Sequence, residues 1–242
     1  MRRFYALKEN IQQNTVLFDK AESIHIHRVL RLEPGEKILV CDGSGMDYSC
    51  VLETCAEVCM ARIEQCFKNE KEPKTELVLF QSVLKNEKMD MVIQKAAELG
   101  ANRIVPVLTE RTVVKTAPGE IHKQIRWQKI ALEACKQCGR SKVPEVEAVC
   151  SFQDAVKKLS QYELKLAAYE EEKTISITEA VKKCKSAAYF IGPEGGITEE
   201  EQKTLVKAGA VSVSLGKRIL RAETAAIAAG AVILCLMGEM NV

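Results

Sequence analysis

The chain has 242 residues, and its 35 basic and 33 acidic side chains leave a net charge of only +2. That length holds one large domain, or a large and a small one, and the charge balance excludes a polycation built for bulk nucleic-acid binding while leaving room for a local basic patch. A hydrophobic share of 47% and a charged share of 28% are those of an ordinary soluble protein.

In chain order, segments 37–41, 48–53 and 58–67 carry β-branched and apolar residues and are expected to be strands. Asp42-Gly43-Ser44-Gly45 separates the first two as a hairpin turn, and short strands with glycine turns predict a small barrel over residues 1–72. The polar run Lys68-Asn69-Glu70-Lys71-Glu72-Pro73-Lys74 reads as a linker. Beyond it, strand 77–82 precedes a helix with Met89, Val92, Ile93, Ala96 and Ala97 on one face, closed by Gly100. Strand 103–108, helices 120–138 and 151–159, strand 164–169 and helix 178–183 follow. Strand 187–191, a helix opened by Thr198 and Glu201 at capping-box spacing, strand 211–215 and an Ala-rich helix end the chain. This alternation predicts an α/β domain with a parallel sheet over residues 73–242.

The start, Met1-Arg2-Arg3-Phe4-Tyr5, lacks the apolar core of a secretion signal, and the longest apolar run, 225–237, is too short to span a bilayer. No membrane association and a cytoplasmic location are therefore expected. Cys135 and Cys138 form a C-x-x-C inside a helical pattern with no second pair at zinc spacing. The ten cysteines read as reduced thiols, mostly core residues, and no metal is expected.

Two loops carry the chemistry. Ile191-Gly192-Pro193-Glu194-Gly195-Gly196 and Leu215-Gly216-Lys217-Arg218-Ile219-Leu220-Arg221 each follow a strand and precede a helix. Glycine loops at carboxyl ends of strands let a ligand approach backbone, so a small-molecule pocket is expected. Neither loop has the Lys-Ser/Thr pair of a phosphate loop, and no G-x-G-x-x-G occurs in the chain. A cationic or neutral ligand is expected, not a polyphosphate, which also removes a nucleotide hydrolase.

The chain resembles the bacterial ribosomal RNA small subunit methyltransferase E family, of the knotted SPOUT class. The residues that carry the likeness are Arg3-Phe4-Tyr5, Val29-Leu30-Arg31, Gln94-Lys95-Ala96-Ala97-Glu98-Leu99-Gly100, Glu110-Arg111-Thr112, Arg126-Trp127, Glu133-Ala134 with Gln137 and Arg140, and Val143-Pro144. Gly192-Pro193-Glu194-Gly195-Gly196 and Ile219-Leu220-Arg221-Ala222-Glu223-Thr224-Ala225 complete it, with Thr112 where the family usually has Ser. The resemblance implies an N-terminal PUA-like β-barrel that helps hold RNA. It also implies a C-terminal α/β SPOUT domain that binds S-adenosylmethionine in a trefoil knot and forms a homodimer. The implied reaction is methylation of N3 of a uridine in 16S rRNA of the small ribosomal subunit. Ribose 2′-O-methylation, and a non-catalytic RNA-binding or ribosome-assembly role on the same fold, are the rival readings.

For that cofactor the resemblance implies binding by Gly192, Pro193, Glu194, Gly195, Gly196, Leu215, Gly216, Ile219, Leu220, Arg221 and Thr224. A deprotonated uracil N3 spreads negative charge over O2 and O4, so Arg221 is the candidate stabilising cation. Glu223 is the candidate base, or the group that positions Arg221. Arg2, Arg3, Arg28, Arg31, Arg111 and Arg140 are the candidate phosphate contacts, with Lys115 in the same cluster as Arg111.

Overall fold

Alternating apolar residues in the N-terminal segments form strands because one face of each is covered. In the computed structural model, which describes residues 1–114 and 119–241, the chain divides into two units. The first is Met1–Glu72 with Cys135–Val143, and the second is Pro73–Ala134 with Pro144–Val242. Lys115 lies outside the described residues.

In the first unit, β1 (Arg2–Tyr5), β2 (Ile11–Gln12), β3 (Thr15–Leu17), β4 (Lys37–Cys41), β5 (Met46–Thr54) and β6 (Met60–Lys68) form one sheet in the order β1-β4-β5-β6-β3-β2. Only the β1–β4 pair is parallel. The expected hairpin is β4–β5, with Cys41 opposite Asp47. Helix α1 (Lys20–Ile24), capped by the Asp19 carboxylate on the Glu22 N–H, runs into a π-helical turn at His25–Val29. Phe4, Val16, Phe18, Ile26, Ile38, Val40 and Leu52 share one core. The strands β1, β2 and β3 were not expected, since elements of two to four residues are too short to show a period.

The expected linker is instead a buried polar staple. Asn69 Nδ2 donates to Asp47 Oδ2 (2.7 Å) and to the Gly139 carbonyl (3.0 Å). Glu72 Oε2 accepts from Arg140 Nε (3.2 Å) and Nη2 (3.0 Å), while its Oε1 accepts from the Ser141 and Lys142 amides, each at 2.8 Å. Arg3 forms a fork with Asp47 and donates to Ser141 Oγ. This corrects two expectations. The side chains of Arg140 and Arg3 are 3% and 8% exposed, so both guanidiniums are committed to carboxylates inside the unit rather than presented to phosphate. Arg2, Arg28 and Arg31 are exposed.

The second unit comprises β7 (Glu76–Ser82), α2 (Glu87–Leu99), β8 (Arg103–Leu108), α3 (Ile121–Cys138, its last turn in the first unit), β9 (Glu145–Val146), β10 (Cys150–Ser151) and α4 (Phe152–Leu159). It continues with β11 (Leu164–Ala168), α5 (Ile177–Ala180), β12 (Ser186–Ile191), α6 (Glu199–Lys207), β13 (Val211–Val213) and α7 (Ala222–Met237). The sheet runs β10-β8-β7-β12-β11-β13, with β9 also on β8, and every pair is parallel, as α/β alternation predicts. Val78, Phe80, Val105, Phe152, Leu159, Phe190 and Leu205 fill one core, while α7 packs on α2 and over β7 and β12. All five expected face residues of α2 are buried, and Gly100 closes it in the left-handed region. Helix α5 stops earlier than expected, because Val181 takes extended backbone (φ −72°, ψ 123°).

The capping box at α6 is present: Glu201 N donates to Thr198 Oγ1 (3.2 Å), and Thr198 N donates to Glu201 Oε2 (2.9 Å). Thr198→Ala is expected to cost about 1 kcal/mol, read as a lowered thermal midpoint. An unchanged midpoint would move the anchoring of α6 elsewhere.

Among the described residues no helix is long and apolar enough to cross a membrane, and no three His, Cys, Asp or Glu side chains gather at metal distance. The cysteines are free thiols. Burial pushes Cys135 up to about 12 and Cys150 up to about 11, so both stay protonated.

Candidate functional site

In the parallel sheet the carboxyl ends of β11, β12 and β13 fall in register: Ala167 lies opposite Phe190 and Ala168 opposite Val213. The loops that follow these strands therefore leave the same edge, where open α/β sheets bind ligands. Because β11 sits between β12 and β13, its loop, 169–176, lies between the two glycine loops. Together the three loops enclose a cleft of about 930 Å³, of small-molecule size.

Gly192, Pro193, Glu194, Gly195, Gly196, Leu215, Gly216, Ile219, Leu220 and Arg221 all line this cleft. Thr224 does not: it is exposed on another side of α7 from Ala222 and Ala225, which do line the cleft, and this corrects that expectation. The loop geometry needs glycine at two points. Gly196 has φ +69°, and a Cβ there would lie 2.0 Å from Glu170 Oε1. Gly216 has φ +107° and faces space open of protein atoms. Ile219, 87% exposed, forms part of the rim.

The loop after β11 was missed from sequence, and so were Tyr169, Glu170, Glu172 and Lys88, which line the cleft with it. A run of three glutamates after a strand was the available signal. Glu172 Oε1 accepts from the Thr174 hydroxyl (2.5 Å) and amide (2.9 Å) and from the Ile175 amide (3.3 Å). These bonds, the hydroxyl's first, hold Glu172 down to about 2 from an ordinary 4.5. A carboxylate lowered in the folded state supports the loop above about pH 4.5 and loses that support as pH falls towards 2. Amide exchange across 169–176 is therefore expected to quicken through that window, and Glu172→Gln to abolish the dependence. A pH-independent loop would refute the staple.

Glu170 is the lining carboxylate without a hydrogen-bond partner among the described residues. Glu179 closes the capping box of α5 with Ser176, and Glu194 is paired with Lys88 Nζ at 3.2 Å. Burial works to raise Glu194, but hydrogen bonds from its own amide, from Lys88 and from the Lys85 amide hold it below its ordinary value.

Arg221 sits at the N-cap of α7, exposed, with its guanidinium unpaired among the described residues. Glu223 stands behind the lining. Its side chain is 12% exposed, Oε2 is shielded from water with no hydrogen-bond partner, and Lys88 Nζ lies 3.8 Å away. A carboxylate so placed is not part of the cleft's lining. Its direct connection is to Lys88.

Arg111 is exposed and donates from Nη1 to the Gly195 carbonyl at 3.0 Å. Its neighbour Glu110 donates its amide to Glu201 Oε1 (2.9 Å), so the segment after β8 is fastened to the capped start of α6. Thr112 Oγ1 accepts from the Thr109 amide at 3.0 Å, so its hydroxyl is structural.

A paired pattern of known domains matches this architecture. Residues 70–234 match the model of an RNA methyltransferase domain, and residues 18–54 that of an RNA methyltransferase PUA domain, which defines the class. The ribosomal RNA small subunit methyltransferase E of Bacillus subtilis is 32% identical over 238 residues, covering 93% of each chain. A crystal structure of a ribosomal RNA small subunit methyltransferase E from Neisseria gonorrhoeae, bound to S-adenosyl methionine, is 34% identical, with a TM-score of 0.90 over 98% of both chains. The Legionella pneumophila protein Lpg2936, solved with the bound cofactor SAM, is 30% identical with a TM-score of 0.87 over 96% of both. The chain belongs to the ribosomal RNA small subunit methyltransferase E family.

Proposed function

We propose that this chain transfers a methyl group from S-adenosylmethionine to N3 of a uridine in 16S rRNA of the small ribosomal subunit, as a cytoplasmic homodimer. The observation that carries the reading is the three-loop cleft at the carboxyl edge of the sheet, in a chain that follows a cofactor-bound relative from end to end.

The residues present suit that cofactor. The cleft has room for it, and the glycines at 196 and 216 bring backbone to its wall. Ile191, Leu215 and Leu220 offer apolar surface for an adenine. The Glu170 carboxylate, without a hydrogen-bond partner among the described residues, suits the ligand's hydroxyl or ammonium donors. Pro193 and Glu194 shape the first glycine loop. When bound, the cofactor supplies an electrophilic methyl group on a sulfonium.

What the chain must add is position and charge. Arg221, at the cleft wall with a guanidinium uncommitted among the described residues, stabilises the negative charge that uracil develops on O2 and O4 as its N3 proton passes to water and N3 takes the methyl from the sulfonium, which leaves as the neutral thioether. Glu223 acts as the positioning partner rather than as a base in contact with uracil, in keeping with its burial. The path from edge strand β13 through 214–221 to α7, which lies over β12 and β7, supports the trefoil knot. The six-stranded sheet with a single apolar core supports the PUA-like barrel.

For RNA, we infer that the exposed Arg2, Arg28, Arg31 and Arg111 meet phosphates. Neutralising any one is expected to flatten the slope of log affinity against log salt by about one unit. An unchanged slope would remove that residue from the interface.

The deciding experiment is calorimetry with S-adenosylmethionine, with ATP as control. Incubation with small subunits and mass mapping of the methylated nucleoside would follow. Micromolar cofactor binding and a methyl on the uracil base support the proposal. A methyl on ribose would replace it with 2′-O-methylation. No cofactor binding even with small subunits present would leave a non-catalytic RNA-binding protein. A monomeric mass in light scattering would remove the dimer.

A further inference from the structure

Lys88 follows the first residue of α2, directly after β7, the neighbour of β12 in the sheet. The turn that delivers it is strained: Asn86 has φ 43° and ψ −125°, a conformation costly for any residue but glycine. From there the Lys85 amide reaches Glu194 Oε1 at 3.5 Å and the Lys88 ammonium reaches the same oxygen at 3.2 Å. On its other side the ammonium stands 3.8 Å from Glu223 Oε2. One cation thus meets two carboxylates, one on the first glycine loop and one on the opening turn of α7.

Taken singly, a lysine 37% exposed holding a surface carboxylate contributes little. Two features make this group different. The Glu223 carboxylate is largely withdrawn from water and, among the described residues, Oε2 has no hydrogen-bond partner and Lys88 is the cation that faces it. Glu223 also lies two positions after Arg221 on the first turn of α7, so fixing one fixes the other.

We propose that Lys88 is a positioning residue, a clasp that joins the Glu194 loop to the Glu223 turn and thereby sets Arg221 against the bound cofactor. The role rests on the methyltransferase reading for its consequence in catalysis, but the clasp itself is made of this chain's own residues and is measurable without added cofactor. Without the ammonium, two carboxylates face each other and one of them is desolvated, so the two segments move apart.

The test compares Lys88→Met, Lys88→Arg, Glu223→Gln and the Lys88→Met/Glu223→Gln double variant. In the free protein, Lys88→Met is expected to speed amide exchange about tenfold in both 192–196 and 221–226, while Lys88→Arg stays within about threefold of the parent. With small subunits, Lys88→Met is expected to lower the single-turnover rate about tenfold with the KM for subunits little changed. In the Glu223→Gln background the same change is expected to cost less than about threefold, since the buried charge it offset is gone. Exchange unchanged in either segment, or equal losses in both backgrounds, would overturn the clasp. Failure of every variant and the parent to bind S-adenosylmethionine would sink the methyltransferase reading, while the exchange data would still decide the clasp.

Discussion

Arg221→Ala is expected to lower the single-turnover rate of methyl transfer by about 10²- to 10³-fold, the scale of removing one preorganised donor from a site of developing charge. Cofactor affinity is expected to change by less than about fivefold, since the proposed binding of adenine and ribose draws on the glycine-loop backbone and the loop after β11 rather than on this guanidinium. Arg221→Lys keeps the charge but loses the planar fork, so it is expected to recover only part of the rate. The basis is geometric: Arg221 lines the cleft, caps α7 through its backbone, and has no competing partner among the described residues. If Arg221→Ala instead weakened cofactor binding in proportion to the lost rate, the residue would be a ligand-binding group and the charge on the uracil would be met elsewhere.

Glu72→Ala is expected to destabilise the first unit by about 3–5 kcal/mol, since it removes the carboxylate opposite a guanidinium only 3% exposed. It also strips the Ser141 and Lys142 amides of their common acceptor. Urea denaturation followed by exchange in 37–68 measures it. Arg140→Met with Glu72→Leu is expected to restore much of the loss, because an apolar pair in the same volume leaves no charge to solvate. A loss under about 1 kcal/mol for Glu72→Ala would mean that water reaches the pair. Neither variant is expected to alter the salt slope for RNA through lost phosphate contacts, in contrast to Arg28 and Arg31.

What was legible in the sequence was local. The Thr198–Glu201 capping box, the apolar face of α2 and the glycine loops each depend on neighbours within a few residues, and each stands where the pattern puts it. What was not legible depends on sheet order and distant partners. Nothing in 169–176 says that β11 will lie between β12 and β13, so the third wall of the cleft was invisible. Arg140 follows a helix end and matches a family motif, which reads as an exposed cation. Its fate is decided by Glu72, 68 positions away. Glu223 read as a candidate base or as the group that positions Arg221, and nothing near it in sequence says that the strained turn at Asn86 will bring Lys88 to 3.8 Å from it.

The first unit is discontinuous: Cys135–Val143 belong with Met1–Glu72. During synthesis, then, the N-terminal segment emerges with Glu72 and Asp47 still lacking Arg140 and Ser141, their partners in the finished structure. At roughly 5–20 residues per second, the intervening stretch of about 70 residues takes roughly 4–14 s to translate. Over that interval Asp47 already has Arg3 while Glu72 lacks its guanidinium, and the unit's completion waits on α3. The first unit is therefore complete only once Val143 has emerged, after residues 73–134 of the second have been made, and a gene fragment ended after Glu72 encodes a unit without its last piece.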